Sequence, residues 1–318
     1  MKKKKTTGKT AEATVRKSLR ASSSGESSAA RAHFAPKSIA IMYRPGTPDA
    51  IRQANQLSKF LTEEGYAVFC TPGQKLAAKC ELVTPANLGR IDWVIALGGD
   101  GTYLRAVRML EGRQTPILGV NMGGLGFLTE TRVEDLYKAI ADTLAGNMEM
   151  RPRAMLKIEV RRNGKLRSSN LALNDAVLER GSNTHLINIE IFSQKHLVAN
   201  IKADALVIAS PTGSTAYNLA AGGPICHPEV RAIVVTPVCP HALTSRPLIF
   251  PDDQKLSFKV KTRDKDAILT VDGMISGQIT IEDEVTIVRN EVDHFVIRKP
   301  SSNYFNLLRE KLSFGQRD

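Results

Sequence analysis

No apolar run in this 318-residue sequence approaches the roughly 18 residues that span a bilayer. Stretches such as 205–209 and 232–236 have the length of core strands, so no membrane-spanning helix is expected. Cysteine is scarce: Cys70, Cys80, Cys226 and Cys239 form no CxxC pair and no metal-finger spacing. They are expected to be reduced and mostly buried, which suits a cytoplasmic protein. The lysines that follow Met1 run into no apolar stretch of the secretory kind. His33, His196, His227 and His294 lack metal-ligand spacing, and no metal site made by protein side chains is expected. Two common nucleotide signatures are also missing. Gly8-Lys9-Thr10 is no P-loop, because Lys3 stands where that loop needs a glycine, and no G-x-G-x-x-G follows the first strand. No internal repeat is visible.

Charge is unevenly spread. Of the formal net +12, residues 1–35 carry +7, leaving only +5 on the remaining body. Nucleic-acid binding by the folded part thus gains little support, although a mildly basic body favours polyanionic substrates such as nucleotides. Residues 1–35 are rich in Lys, Ser and Ala and nearly devoid of large apolar residues before Phe34. They cannot bury enough surface to offset chain entropy, and a disordered basic tail is expected. A transit peptide is the alternative, for which the lysine run 2–5 is atypical.

From residue 37 the pattern alternates: strand 39–43, a helix from about 49 to 64 capped by Asp49, strand 67–70, strand 91–97, a helix near 102–110, strand 116–120 and a helix over 133–144. Such alternation predicts a parallel sheet covered by helices. Beyond residue 151 short alternating runs take over, with Asn163-Gly164 as a hairpin signal. One helix, near 215–221, interrupts them, and 305–312 reads as a closing helix. The expected organisation is a basic tail (1–35), an α/β nucleotide-binding domain (36–150), a β-rich domain (151–302), and a C-terminal segment (303–318) returning to the first domain.

Four segments carry chemistry. Gly98-Gly99-Asp100-Gly101-Thr102 lies between an apolar strand and a helix, where open α/β sheets bind ligands. Its glycines let the backbone approach phosphates, the helix offers free N–H groups, and Asp100 can accept a proton from an attacking hydroxyl. A tight turn with Asp100 as helix cap is the plainer reading; Arg105 meets phosphate or faces solvent. A second glycine cluster spans 119–128, with Asn121 as its polar handle, unless it is a packing turn. Asn174-Asp175 interrupts an apolar run; the pair suits ribose hydroxyls, or else marks a bulge or edge turn. Finally, residues 210–225 run from a strand through a hydroxyl-rich loop into a small-residue helix and Gly-Gly-Pro. Hydroxyls and backbone N–H groups there suit base edges, and Tyr217 offers a ring for stacking.

In combination and order these segments resemble the NAD kinase family over about residues 37–315, together with residues 240–248 and Val271-Asp272-Gly273. Gly-Gly-Asp-Gly-Thr alone is shared with diacylglycerol and sphingosine kinases; its pairing with 210–225 singles out NAD kinases. The resemblance implies an α/β domain and a β-rich domain with NAD bound between them, in a homodimer or homotetramer. It implies transfer of the terminal phosphoryl of ATP, with Mg2+, to the 2′-hydroxyl of the adenosine ribose of NAD. Asp100 would be the general base, with Gly98, Gly99 and Thr102 in the phosphate loop. Gly101, Arg105, Asn174, Asp175, Asp204, Thr215, Ala216, Tyr217, Asn218, Leu219 and Ala220 would contact NAD, with His185 and Lys202 as weaker carry-overs. The chain departs from the pattern at Ala205, Met122 and Met274, where relatives often carry Gly, Arg and Gln; these positions bear on the pocket rather than the reaction. A lipid kinase would leave Asn174-Asp175 and 215–217 unexplained, and a non-catalytic NAD-binding regulator has no need of Asp100.

Overall fold

A computed structural model describes residues 35–181, 185–261 and 267–313, so the expected tail falls almost wholly outside the described residues. The chain divides into two units, one of residues up to Arg151 plus those from Phe295, the other Pro152–His294. The first unit starts with β1 (Ser38–Tyr43), α1 (Pro48–Glu63), β2 (Ala67–Cys70), β3 (Glu81–Leu82), β4 (Trp93–Gly98) and α2 (Asp100–Met109). It continues through β5 (Ile117–Asn121), β6 (Thr131–Arg132), α3 (Leu136–Leu144) and β7 (Glu149–Arg153). Helix α1 buries Ala50, Ala54, Leu57, Phe60 and Leu61, one face at helical spacing, in a cluster with Ile39, Ile41, Ile95 and Leu97 of the strands. Each such fully buried large side chain stabilises by about 1.5–3 kcal/mol. Asp49 does not cap this helix. Thr47 occupies the cap position without a side-chain bond, because Pro48 sets the first turn; Asp49 instead pairs with Arg52 at 2.6 Å.

The second unit is two antiparallel sheets. Its strands are β8 (Leu156–Arg162), β9 (Lys165–Ala172), β10 (Asp175–Arg180), β11 (Ile187–Ser193), β12 (His196–Ala203) and β13 (Ala205–Ala209). After the short helix α4 (Tyr217–Ala220) come β14 (Ala232–Val238), β15 (Leu248–Pro251), β16 (Leu256–Val260), β17 (Ala267–Val271), β18 (Met274–Ile279) and β19 (Asp283–Arg289). The sheets run β15-β14-β13-β10-β17-β18 and β12-β11-β16-β19-β8-β9. Alternate residues such as Ile158, Val160, Ile189 and Ile191 meet Leu178, Leu206 and Ile208 of the other sheet in one apolar core. Strand β13 is buried on both faces, which is why Ala-Leu-Val-Ile-Ala is apolar throughout; Val207 and Ala209 pack with Cys226 and Ala221 on the outer side. The Asn163-Gly164 turn, both residues at positive φ, joins β8 to β9. The apolar run around Asn174-Asp175 is not one strand, since β9 ends at Ala172 and β10 begins at Asp175.

The chain then returns to the first unit with β20 (His294–Arg298) and α5 (Tyr304–Leu312). The first sheet has the order β3-β2-β1-β4-β5-β20-β7, with β6 beside β5. Neighbours β2, β1, β4 and β5 are all parallel. Strand order therefore reverses between β1 and β4, the switch point at whose carboxyl edge open sheets bind ligands. Tyr43 of β1 stands opposite Leu97 of β4, immediately before Gly98-Gly99-Asp100. Among the described residues no helix is long and apolar enough to cross a membrane.

Candidate functional site

At that switch point β4 turns directly into α2, with Gly99 as the helix cap and Asp100 as its first residue. A Cβ on Gly98 would lie 2.2 Å from Thr102 Oγ1, so the turn accepts only glycine there. The Asp100 carboxylate points at the loop after β5. Its Oδ2 accepts from Phe127 N at 2.8 Å, and its Oδ1 from Leu128 N at 3.0 Å, Thr129 N at 3.2 Å and Thr129 Oγ1 at 3.1 Å. Gly126 must be glycine for the same reason, since its Cβ would come within 2.1 Å of Asp100 Oδ1. Asn121 braces the loop from inside: its amide donates to Gly124 O, and its carbonyl accepts from Gly123 N at 2.6 Å.

Two cations complete this arrangement. Arg298 of β20 is buried, donates to Phe127 O and pairs with Glu130. Burial draws its guanidinium down to about 10, against the raising influence of Tyr103 and Asp100. Lys311 of α5 donates to Leu125 O at 3.0 Å, covers the Phe127 ring at 4.9 Å and stands 3.9 Å from Asp100 Oδ2. Neither was among the expected site residues. Each lies more than a hundred residues along the chain from its partners, and no local pattern marks it.

In the second unit the start of β10 is built around a hairpin turn. Asp272, at φ 45°, precedes Gly273 between β17 and β18. Its carboxylate accepts from three successive amides, Leu173 at 2.9 Å, Asn174 at 2.8 Å and Asp175 at 3.1 Å. Asp175 itself is buried; burial, then the neighbouring Asp272 charge, pushes its carboxyl up to about 7. The loop after β13 closes on the same place. Ser210 donates to Leu173 O, and Gly213 packs so tightly that a Cβ would lie 2.1 Å from Asn174 O.

The cradle of residues 210–226 is held by buried polar side chains. Asn218 donates to Ser214 O and Pro224 O, both at 3.0 Å, and accepts from Thr236 Oγ1 at 2.7 Å. Ser214 Oγ donates to Pro211 O at 2.7 Å and accepts from Cys226 N at 3.0 Å. Asn218 is thus a keystone whose side chain is spent internally, while Tyr217 leaves its ring 43% exposed. Thr215, Ala216 and Leu219 are half-buried and Ala220 is exposed.

The structure gathers the expected residues into two local groups. Gly98, Gly99, Asp100, Gly101, Thr102 and Arg105 share the β4–α2 turn; Asn174 and Asp175 adjoin the 210–226 cradle. Lys202 and His185 are exposed, at β12 and just before β11. Asp204 is engaged by Arg180 at 3.0 Å, a partner the sequence did not suggest.

A family model described as the ATP-NAD kinase N-terminal domain matches residues 39–148, and one described as the ATP-NAD kinase C-terminal domain matches 173–298. The NAD kinase of Bdellovibrio bacteriovorus is 51% identical over 282 residues, 88% of this chain and 93% of that protein. The NAD kinase of Syntrophotalea carbinolica is 39% identical over 286 residues, 88% of this chain and 100% of its own. Among solved structures, yeast NADH kinase complexed with NADH is similar with a TM-score of 0.83 at 26% identity, covering 89% of each chain. An NAD kinase from Archaeoglobus fulgidus in complex with ATP shares the fold, at a TM-score of 0.66 and 22% identity over 86% of this chain and 99% of that one.

Proposed function

Since the chain belongs to the NAD kinase family, it is an enzyme that phosphorylates NAD from ATP to give NADP, and we propose that Asp100 is its general base. The observation that carries this role is the unequal loading of its two oxygens. Oδ1 already takes three hydrogen bonds; Oδ2 takes one, from Phe127 N, with the Lys311 ammonium 3.9 Å away, and keeps room for one more hydrogen. A ribose 2′-hydroxyl donating to Oδ2 would lose its proton there as its oxygen attacks the terminal phosphorus of ATP. Phosphoryl transfer asks mainly for positioning and charge stabilisation. The fixed carboxylate meets the first need, and Arg105, with no hydrogen-bond or ion-pair partner among the described residues, serves the second. Mg2+ comes with ATP as part of the substrate. At phosphate sites Mg2+ takes the phosphate oxygens and water as its main ligands, so the donor phosphates would carry it.

The other half of the reading assigns NAD contacts. Asn174 and Asp175 bind ribose hydroxyls, Tyr217 stacks through its exposed ring, and the 212–220 backbone with Thr215 meets polar base edges. Asp204 and Lys202, at the end of β13 remote from the cradle, and His185 are taken as outer contacts on the strength of the family resemblance alone. We place the enzyme in the cytoplasm as a homodimer or homotetramer. Exposed apolar side chains such as Ile249, Leu243 and Ile275 offer surface for self-association, which light scattering would measure. The deciding test incubates the chain with NAD, ATP and Mg2+ and follows NADP with an NADP-specific dehydrogenase. Asp100→Asn is expected to lower turnover at least ~100-fold; wild-type turnover in that variant would remove the base role.

A further inference from the structure

The first unit holds two cysteines among its described residues, Cys70 at the end of β2 and Cys80 just before β3. Both are free. In the parallel β2–β3 pair Phe69 faces Glu81 and Cys70 faces Leu82. Residues two apart share a sheet face, so Cys80 falls on the side of Leu82 and Cys70. The contact agrees: the Cys80 thiol donates to Cys70 Sγ with the sulfurs 3.0 Å apart. A disulfide needs them about 2 Å apart, a closure of roughly 1 Å. Access differs between the two. Cys70 is buried, and burial, reinforced by the Cys80 sulfur, pushes its thiol up to about 12; Cys80 is half-buried and within reach of solvent.

We propose that Cys70 and Cys80 form a reversible thiol–disulfide modification site whose oxidant is a low-molecular-weight disulfide of the glutathione type. Cys80, as thiolate, attacks one sulfur of the oxidant, forming a mixed disulfide and releasing one thiolate. Cys70 then attacks Cys80 Sγ, forming the Cys70–Cys80 bond and releasing the second thiolate. The two cysteine protons end on the two released thiolates. Two protein thiols are oxidised, one small disulfide is reduced, and no other electron acceptor enters.

The bond would close a ring around the segment that fastens β1. Within that segment Gln74 donates to Tyr43 O and accepts from Tyr43 N at 3.2 Å and Thr71 Oγ1 at 2.9 Å. Lys75 N donates to the Tyr43 hydroxyl at 3.1 Å, which donates in turn to Lys75 O at 3.2 Å. Tyr43 stands beside Leu97, one residue before the glycine turn. Oxidation therefore anchors the support of that turn without touching Asp100.

The test uses the full chain with Cys239→Ser, which removes an exposed thiol outside the site. It is equilibrated with oxidised and reduced glutathione, quenched with acid, alkylated and mapped by mass spectrometry. The expected product is a Cys70–Cys80 linked peptide, lighter by two hydrogens, with Cys226 still alkylated. Its melting temperature is expected to rise by roughly 3–8 °C and to return on reduction with dithiothreitol. In Cys80→Ser, Cys70 should stay alkylatable and the rise should vanish. A glutathione adduct that persists on Cys80, or both thiols remaining free in excess oxidised glutathione, would overturn the proposal.

Discussion

Asp175 and Asp272 are two carboxylates with opposite situations. Asp272 is surrounded by three amide donors and serves as an anion. Asp175 has no hydrogen bond to its carboxylate among the described residues, and burial, with Asp272 beside it, lifts its carboxyl from 3.8 to about 7. Between those values the folded chain keeps a proton that the unfolded chain has released, so stability falls as pH rises through the window and the loss is complete above it. Asp175→Asn, neutral and nearly the same size, removes the penalty. Its stability in urea should match wild type near pH 4 and exceed it at pH 8 by at most about 4 kcal/mol, even as NAD binding weakens. An equal difference at both pH values would show that Asp175 ionises as an exposed aspartate does. The glycines allow a similar separation of roles. A Cβ at Gly213 meets the Asn174 carbonyl, which is backbone and cannot step aside, whereas a Cβ at Gly99 meets nothing within 4 Å. Gly213→Ala should therefore lower both the melting temperature and NAD affinity. Gly99→Ala should keep native stability and lose turnover alone, because its added methyl intrudes only on a ligand. Calorimetry beside the NADP assay tells these apart.

Helix α4 is a single turn of four residues, too short to be stable by propensity. Its anchor is Asn218, and Asn218→Ala would strand the buried Ser214 carbonyl, the half-buried Pro224 carbonyl and the buried Thr236 hydroxyl. A loss of roughly 2–5 kcal/mol is expected in denaturant unfolding, with NAD binding falling in parallel; a loss under 1 kcal/mol would mean that water takes over those bonds. Elements also differ in how openly the sequence declares them. Strands β1, β2, β4 and β5 are buried apolar runs between turn residues, and α1 carries a full apolar stripe, so pattern alone finds them. Two-residue β3 and β6 have no period to read, and β7 contains Pro152, which argues against a strand. The glycine turn and the 210–225 run stood out because tight turns and close backbone approach demand particular residues. Arg298, Lys311 and the Arg180 partner of Asp204 did not, because tertiary contact alone sets their roles. Asp272 was visible as part of a motif, but nothing local reveals that it gathers three amides.

Across the whole molecule, chain order and spatial order part company at β20. It lies between β5 and β7 in the first sheet, yet the second unit separates it from them in sequence. That strand brings Arg298 to Phe127 O and Glu130, and α5 then brings Lys311 to Leu125 O. Two truncations separate these contributions. A chain ending at residue 293 lacks β20, leaving the Ile117 end of β5, beyond the short β6 pairing, with an open edge in an apolar sheet and Glu130 without its guanidinium. Unpaired backbone there has no substitute partner, so soluble yield should collapse. A chain ending at residue 303 retains β20 and the Arg298–Glu130 pair and loses, among the described elements, only α5. Its sheet should form with native circular dichroism. The loop carrying the amides that orient Asp100 would then lack its Lys311 clamp, and turnover should fall about tenfold or more, with about 1.4 kcal/mol of lost positioning giving each factor of ten. Full turnover in that shorter chain would make α5 a cover for the fold and return the whole task of holding the loop to Asp100, Asn121 and Arg298.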